Sequence, residues 1–248
     1  MIIMESEEWF MMTKQHDHAR ISGEIANHFL DHLFLDERYR EEILLGVREH
    51  DRGWIGLDEV PIWNDGSNVP FSFMDYPLYP KLQMYIKGLE EVEQMSSYAA
   101  LLCSHHYSAF IRRSHDPECK AFMKNEIDRQ NRLLTQCGHP TDDMVMRHVK
   151  LLQLCDEISL YICMNKSGAA KEESSAAIKF DTVIEQQIFK ASWQSRNAIK
   201  LEPFPFKEDF SVKLKTKHVS KALRNEVGVH LAYENTEYTE EEFSFIKD

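Results

Sequence analysis

Apolar residues recur at every third or fourth position through the first two thirds of the chain. In the first such segment Ala26, Phe29 and Leu33 stand at i, i+3 and i+7, a spacing that places their side chains on one face of a helix. The same spacing continues after an interruption that is rich in proline. The pattern predicts five or six helices, over residues 13–33, 37–51, 81–95, 97–113, 117–137 and 141–164.

The helical periodicity stops between residues 52 and 80. This segment contains four of the eight prolines and a turn signal at residues 64–66, Asn-Asp-Gly. Because long loops with many aromatic side chains are more often packed against a protein than exposed, we expect this segment to form an aromatic lid. Its aromatic residues are Trp54, Trp63, Phe71, Phe73, Tyr76 and Tyr79.

The pattern changes in the last third of the chain. Residues 166–177 combine serines with lysines and glutamates, which predicts a linker. Beyond it, Phe210, Val212 and Leu214 alternate with polar residues, which predicts a half-buried strand whose lysine-lined outer face discourages edge pairing. Two further segments are strand candidates, residues 229–233 and 243–246.

Together these patterns predict a mainly α protein with a small C-terminal β-containing extension. The helices form one domain over residues 1–165, into which the aromatic loop 52–80 is inserted. Residues 166–177 link this domain to a small α+β tail over residues 178–248. We expect the tail to pack on the helical domain.

Composition excludes several classes of function. The 248 residues include 29 basic and 41 acidic side chains, which gives a net charge of −12. Electrostatic attraction of the whole chain to nucleic acid or to an anionic membrane surface is therefore excluded. No two glycines stand closer than Gly53 and Gly56, which excludes the dinucleotide fingerprint and the phosphate-binding loop. The N-terminus has no basic residue before Lys14, and no apolar stretch is long enough to cross a bilayer. The five cysteines form no Cys-x-x-Cys pair, so we expect reduced thiols in a cytoplasmic protein with no nucleic-acid or membrane partner.

Histidine and aspartate residues cluster along the predicted helices. Ten of the twelve histidines precede residue 150, in pairings that include His16-Asp17-His18, His50-Asp51 and His105-His106. Asp156 lies in an apolar stretch of its helix, where an ionised carboxylate needs either a basic partner or a metal ion. Imidazole nitrogen and carboxylate oxygen suit Mn, Fe, Ni or Zn, and such groups converging from several helices would build a metal site inside a bundle.

The order of these residues resembles the signature of the HD-domain phosphohydrolase superfamily. That signature has a first histidine, an adjacent His-Asp pair and a distal aspartate around one or two divalent metal ions. The resemblance covers about residues 13–165 and implies an HD-like helical bundle. It also implies four metal ligands, His18, His50, Asp51 and Asp156. His106 occupies the position where members of the superfamily with two metal ions have an additional ligand.

A second resemblance extends over most of the chain. Several segments are similar to an uncharacterised bacterial family, a domain of unknown function that is regarded as HD-like. The likeness includes the aromatic loop and the Pro203–Leu214 region, and it supplies no substrate. The segments are residues 15–19 (QHDHA), 22–23 (SG), 50–54 (HDRGW), 104–107 (SHHY) and 156–160 (DEISL).

The first resemblance implies a phosphohydrolase that acts on a small phosphorylated metabolite or nucleotide with one or two ions of Mn, Ni, Fe or Zn. Asp51 is then the catalytic residue, because its second carboxylate oxygen can orient a water and accept its proton. Two alternatives stay open, an HD-like di-iron oxygenase and a non-catalytic regulatory protein that binds a metal or ligand. A homodimer is also compatible with the sequence. For the substrate we expect contacts from Arg52, Trp54, His105 and Arg112.

Overall fold

The computed structural model describes residues 1–168, 180 and 182–247. Within these residues, six long helices lie in the segments that the apolar spacing predicted. The first helix is shorter than predicted, because the chain leaves it at His28 and Phe29 forms a β-bridge with Phe206. The helices are α1 (Gln15–Asn27), α2 (Arg40–Glu49), α3 (Leu78–Met95), α4 (Ser97–Ile111), α5 (Pro117–Gln136), α6 (Asp142–Met164), α7 (Lys221–Val227) and α8 (Val229–Glu234).

A six-stranded sheet joins segments from both ends of the chain. The strands are β1 (Ile2–Glu5), β2 (Trp9–Thr13), β3 (Trp63–Asn64), β4 (Val69–Pro70), β5 (Val183–Ile184), β6 (Gln187–Ile188), β7 (Lys190–Trp193), β8 (Ala198–Glu202), β9 (Phe210–Ser220) and β10 (Tyr238–Phe245). The large sheet has the order β1-β2-β9-β10-β8-β7, and its neighbours are antiparallel except β8 and β10. Two short hairpins, β3-β4 and β5-β6, lie outside it.

The prediction of a mainly α protein is wrong, because the large sheet makes the structure mixed α/β. The prediction placed no strand before residue 13, whereas β1 and β2 form a hairpin there and β2 pairs with β9. It also placed a strand over residues 229–233, which form α8 instead. Val229, Leu231 and Tyr233 alternate as in a strand, but Leu231 is exposed. The predicted linker at 166–177 lies mostly outside the described residues.

The lysines of β9 support strand pairing rather than discouraging it. We predicted that they protect an edge, whereas β9 lies between β2 and β10. Lys213 and Lys215 stand opposite Glu242 and Glu240 of β10. Lys213 Nζ also lies 3.3 Å from Glu240 Oε1. Opposite charges on neighbouring strands stabilise a sheet, so these lysines favour the observed register.

Helix α4 occupies the centre of the helical part. It packs against α2, α3, α5 and α6, and α6 also packs against α1 and α2. Every residue from Tyr98 to Ser104 on α4 is buried. The four helices α1, α2, α4 and α6 therefore bring together the segments that carry the predicted histidine and aspartate ligands.

A close contact between α3 and the turn after α2 fixes that turn. A Cβ atom on Gly88 would lie 2.4 Å from the backbone nitrogen of Gly53, which is too short for any side chain. A Cβ atom on Gly46 would meet its nearest neighbour, the Cα of Ala99, at 3.4 Å, an ordinary contact. The turn at Gly53 follows Asp51 directly, so this contact also positions part of the predicted site.

We expect Gly88→Ala to lower the free energy of unfolding by about 1–3 kcal/mol, because the added methyl group overpacks two backbones. Gly46→Ala is the matched control, a second buried helical glycine with room for a methyl group, and should change stability by less than about 1 kcal/mol. Urea unfolding followed by circular dichroism measures both. Equal stability of the two variants would contradict the close contact.

Candidate metal centre

The five side chains predicted to bind metal lie together in one buried cluster. His18 lies on α1, His50 and Asp51 directly follow α2, His106 lies on α4, and Asp156 lies on α6. None is more than 8 % exposed. His18 Nε2 lies 2.9 Å from Asp51 Oδ2, and His50 Nε2 lies 3.5 Å from Asp156 Oδ1. His106 Nε2 lies 3.8 Å from Asp156 Oδ2.

The cluster contains two groups of three side chains that could hold a metal ion. They are His18, His50 and Asp51, and His50, His106 and Asp156. Within each group the ligand atoms lie within 4.8 Å of one another. Two ligands bonded to one ion at about 2.0–2.2 Å lie at most about 4.4 Å apart. The nitrogen-to-oxygen distances above are therefore compatible with ligands of a shared ion.

Hydrogen bonds on the far side of two imidazole rings fix their orientation. His50 Nδ1 donates to the carbonyl oxygen of Val47 at 2.7 Å, which turns Nε2 toward the two carboxylates. His18 Nδ1 lies 2.7 Å from Ser159 Oγ. Because that hydroxyl donates to the carbonyl oxygen of Asp156, it accepts from His18 Nδ1, which leaves Nε2 facing Asp51. Metal-binding histidines are commonly held in this way by a second hydrogen-bond partner.

Burial and charge act against each other on the pKa values of the cluster. Burial lowers the pKa of His50, but the carboxylates of Asp51 and Asp156 outweigh it and raise that pKa to about 9. Burial raises the pKa of Asp156, but His50 and the other histidines outweigh it and lower the pKa to about 2. The pKa of Asp51 is also lowered, against burial, chiefly by the charge of His50. Burial lowers the pKa of His106 to about 4. At neutral pH the cluster has two ionised carboxylates and attracts a proton or another cation.

The raised pKa of His50 predicts a pH dependence for the metal-free protein. The pKa of His50 is about 9 in the folded protein and 6.5 in the unfolded chain, so the protonated imidazole stabilises the fold. This contribution to the free energy of unfolding is complete below pH 6.5 and is lost as the pH rises through 9. We expect the stability difference between wild type and His50→Gln, measured by urea unfolding with a chelator, to shrink by roughly 3 kcal/mol over this range. A difference that grows or stays constant would contradict the charged state of His50.

A cavity of about 230 Å³ lies beside the cluster. Asp51, His106 and Asp156 form part of its wall, so a molecule in the cavity contacts the cluster directly. Phe73 and Met74 come from the aromatic loop, which therefore covers part of the cavity as predicted for a lid. A larger groove of about 1020 Å³ along α1 and α2 contains none of the five cluster residues. The remaining lining residues of the smaller cavity are Gln15, Trp54, Lys81, Tyr85, Phe110 and Leu160.

Of the residues expected to bind substrate, Trp54 alone lines this cavity. Arg52 forms ion pairs with two glutamates at 2.7 and 3.0 Å, so its charge is already neutralised elsewhere. His105 is displaced by about 100° around α4 from its neighbour and does not line the cavity. Arg112 lies on a separate surface pocket of about 630 Å³, near the end of α4.

Sequence reasoning missed three residues at this site. Lys81 lines the cavity but stands in no motif, whereas Gln15 lines it and opens the segment 15–19 that supports the resemblance to an uncharacterised family. Ser159 orients His18, and a signal for it was present. It lies in the segment 156–160, which supports the resemblance to an uncharacterised family, three residues after Asp156.

Comparison with known proteins gives one match. The model of a protein family, described as "Protein of unknown function (DUF3891)", matches residues 1–221, a range that includes the whole cluster. Searches of the curated proteins and of the solved structures returned no match. The resemblance to HD-domain proteins therefore stays a prediction. Among the described residues, no helix combines the length and the apolar character needed to span a membrane.

Proposed function

The chain belongs to the DUF3891 family of proteins of unknown function, and from its site we propose that it is a divalent-metal-dependent phosphohydrolase. The substrate is a small phosphorylated metabolite or nucleotide. The observation that carries this proposal is the buried cluster of three histidines and two aspartates that forms part of the wall of a cavity. A cavity of about 230 Å³ suits a small molecule rather than a polymer.

The residues present fit a divalent metal ion. His50 Nε2 is buried, makes no hydrogen bond within the described part of the chain, and lies within 3.6 Å of both carboxylates. The donors are imidazole nitrogens and carboxylate oxygens, which suit Mn, Fe, Ni and Zn. Nε2 of His50 has one lone pair, so it can bind only one ion at a time. Both groups of three side chains contain His50, so only one of the two groups can hold an ion through it. We therefore expect one ion per chain, held through His50.

A divalent ion bound there would lower the pKa of a water toward about 7 and draw charge from a phosphoryl oxygen. Asp51 belongs both to a metal group and to the wall of the cavity, so its carboxylate is placed to orient a water and accept its proton. The lowered pKa of Asp51 keeps it in the ionised form that accepts a proton. Asp51 is only 5 % exposed, so bulk water has little access to its carboxylate.

A panel of phosphomonoesters and phosphodiesters tests the proposal. We expect phosphate release by the Mn- or Ni-loaded protein, loss of activity on chelation, and recovery when the metal is returned. His50→Gln, loaded in the same way and shown to be folded, should be inactive. If wild type and His50→Gln behave alike across the panel, hydrolysis at this cluster is wrong. An iron absorption band with oxygen consumption in place of phosphate release would favour the oxygenase alternative.

A further inference from the structure

The cavity beside the cluster has a size that limits its ligand. Its volume of about 230 Å³ exceeds the roughly 150 Å³ of a cavity that holds one benzene molecule. It falls below the approximately 300–1,000 Å³ that is typical of pockets for drug-sized ligands. The space therefore suits one ring and one phosphoryl-sized group, and a larger ligand would extend past Met74 and Phe110 into solvent.

The walls of the cavity favour a flat apolar group. Trp54 and Tyr85 are buried and meet edge to face at 5.9 Å between ring centroids, which holds both rings in place. Phe110 and Met74 line the same cavity and are each 63 % exposed, so they lie at its solvent side. Aromatic walls of this kind bind a planar ring by stacking and edge contacts.

Lys81 is the one lysine or arginine among the described residues that line the cavity. Its Nζ donates to the carbonyl oxygen of Phe73 at 3.3 Å. It forms no ion pair with any described carboxylate, so N–H donors remain for a ligand. A phosphoryl group at the cluster would face the negative charges of Asp51 and Asp156. Lys81 supplies a positive charge on the wall of the same cavity.

A second polar side chain in the lining, Gln15, has an oxygen without a hydrogen-bond partner among the described residues. Gln15 Oε1 is buried and makes no hydrogen bond within the described part of the chain. The backbone of Gln15 is fixed, since its N–H donates to Asp58 Oδ2 at 2.6 Å. Buried polar atoms are almost always hydrogen-bonded in folded proteins. A bound water that donates to Gln15 Oε1 and to a phosphoryl oxygen would satisfy it, because ionised phosphoryl oxygens are acceptors.

Building on the proposed phosphohydrolase function, we propose that the substrate is a small aryl phosphomonoester, with its ring between the aromatic walls and its phosphoryl oxygens bound by Lys81. Hydrolysis forms a bond from a water oxygen to phosphorus and breaks the bond from phosphorus to the aryl oxygen. The aryl oxygen leaves with that electron pair. Asp51 takes the proton of the attacking water, and the leaving oxygen is protonated from solvent, giving a phenol and inorganic phosphate.

The test compares phenyl phosphate with glycerol 3-phosphate and adenosine monophosphate as substrates of the Mn-loaded full-length protein. We expect KM for phenyl phosphate to lie at least about tenfold below both others, because neither of them places a single ring against the aromatic walls. KM is compared rather than kcat, because a phenol leaves more readily than an alcohol whatever the walls contribute. Equal KM for all three esters would overturn the inference and leave the proposed function standing.

Binding of phenylphosphonate, which has no ester bond to hydrolyse, gives a readout that is independent of activity. Lys81→Ala should weaken its affinity, measured by calorimetry, by at least about tenfold. Lys87→Ala is the matched control, because Lys87 lies on the same helix, is exposed and pairs with Glu91. The affinity of this variant for phenylphosphonate should stay within about twofold of wild type. Unchanged affinity in Lys81→Ala would overturn the inference. If no ester is hydrolysed but phenylphosphonate binding still depends on Lys81, the proposed function fails and the ligand class stands.

Discussion

Asp51→Asn is expected to reduce phosphoester hydrolysis by about 10²–10⁴-fold, the range typical of losing a general base. Asparagine has nearly the same shape as aspartate, but it neither carries the charge that binds a cation nor accepts the proton of a water. The variant keeps the shape of the site but loses the attraction between the Asp51 carboxylate and His50, so we expect it to fold with reduced stability. Phosphate release by the Mn-loaded protein measures the effect, and circular dichroism checks the fold.

Asp17→Asn is the matched control for this variant. Asp17 precedes His18 directly but belongs to neither metal group, so the same chemical change should leave hydrolysis within about twofold of wild type. If Asp17→Asn and Asp51→Asn lose activity equally, the loss reflects overall charge rather than the chemistry of Asp51. Full activity in Asp51→Asn would remove Asp51 from the mechanism.

His106→Ala is expected to weaken Mn binding by at least about tenfold, as in metal sites that lose a supporting ligand. His106 is buried, its lowered pKa of about 4 keeps it neutral at pH 7, and its Nε2 lies 3.8 Å from Asp156 Oδ2. A neutral imidazole has a lone pair for a metal ion, and alanine has none. Equilibrium dialysis against Mn at a series of concentrations gives the affinity.

His105→Ala provides a control from the adjacent position on α4. His105 is half-buried and belongs to neither metal group, so its removal should leave Mn affinity unchanged within about twofold. Comparison of His106→Ala with His105→Ala therefore distinguishes a metal ligand from an adjacent histidine that does not bind the metal. A larger loss in His105→Ala than in His106→Ala would reverse the assignment of the two residues.

The residues of the cluster could be predicted from the sequence because each stands in a short local pattern. His50 and Asp51 are adjacent at the end of a helix, and Asp156 interrupts an apolar helical stripe. Their order along the chain gave a further clue, the resemblance to the HD-domain signature. The hydrogen bond that orients the His50 ring could not be predicted in the same way, because His50 donates to a backbone carbonyl, that of Val47, which any residue type would offer.

The large sheet was missed because its pairing is long-range. β2 is five residues long and nearly all apolar, so it shows no clear alternation, and its partner β9 lies near the other end of the chain. A local signal did exist for β8, where Ile199 and Leu201 are buried on either side of Lys200. The helices were easier to predict, since their apolar spacing repeats over ten to twenty-three residues within each segment.

The substrate contacts were the least predictable part of the site. Arginines close in sequence to the cluster were natural candidates, but Arg52 is paired with glutamates and Arg112 lies on another surface pocket. Lys81 reaches the cavity because α3 packs against the turn after α2, a contact that depends on Gly53 and Gly88. Such packing between separate elements is not encoded in the spacing around any one residue.

Titration of the metal-free protein with Mn²⁺ by calorimetry, for wild type and His50→Ala, tests most directly whether this cluster is a metal site. His50 is the residue that both metal groups share, and circular dichroism confirms that the variant is folded. We predict one ion bound per wild-type chain and a loss of at least about 100-fold in affinity for His50→Ala, beyond the range typical of supporting residues. Absence of binding to wild type, or equal affinity and stoichiometry in the two proteins, would contradict the metal site.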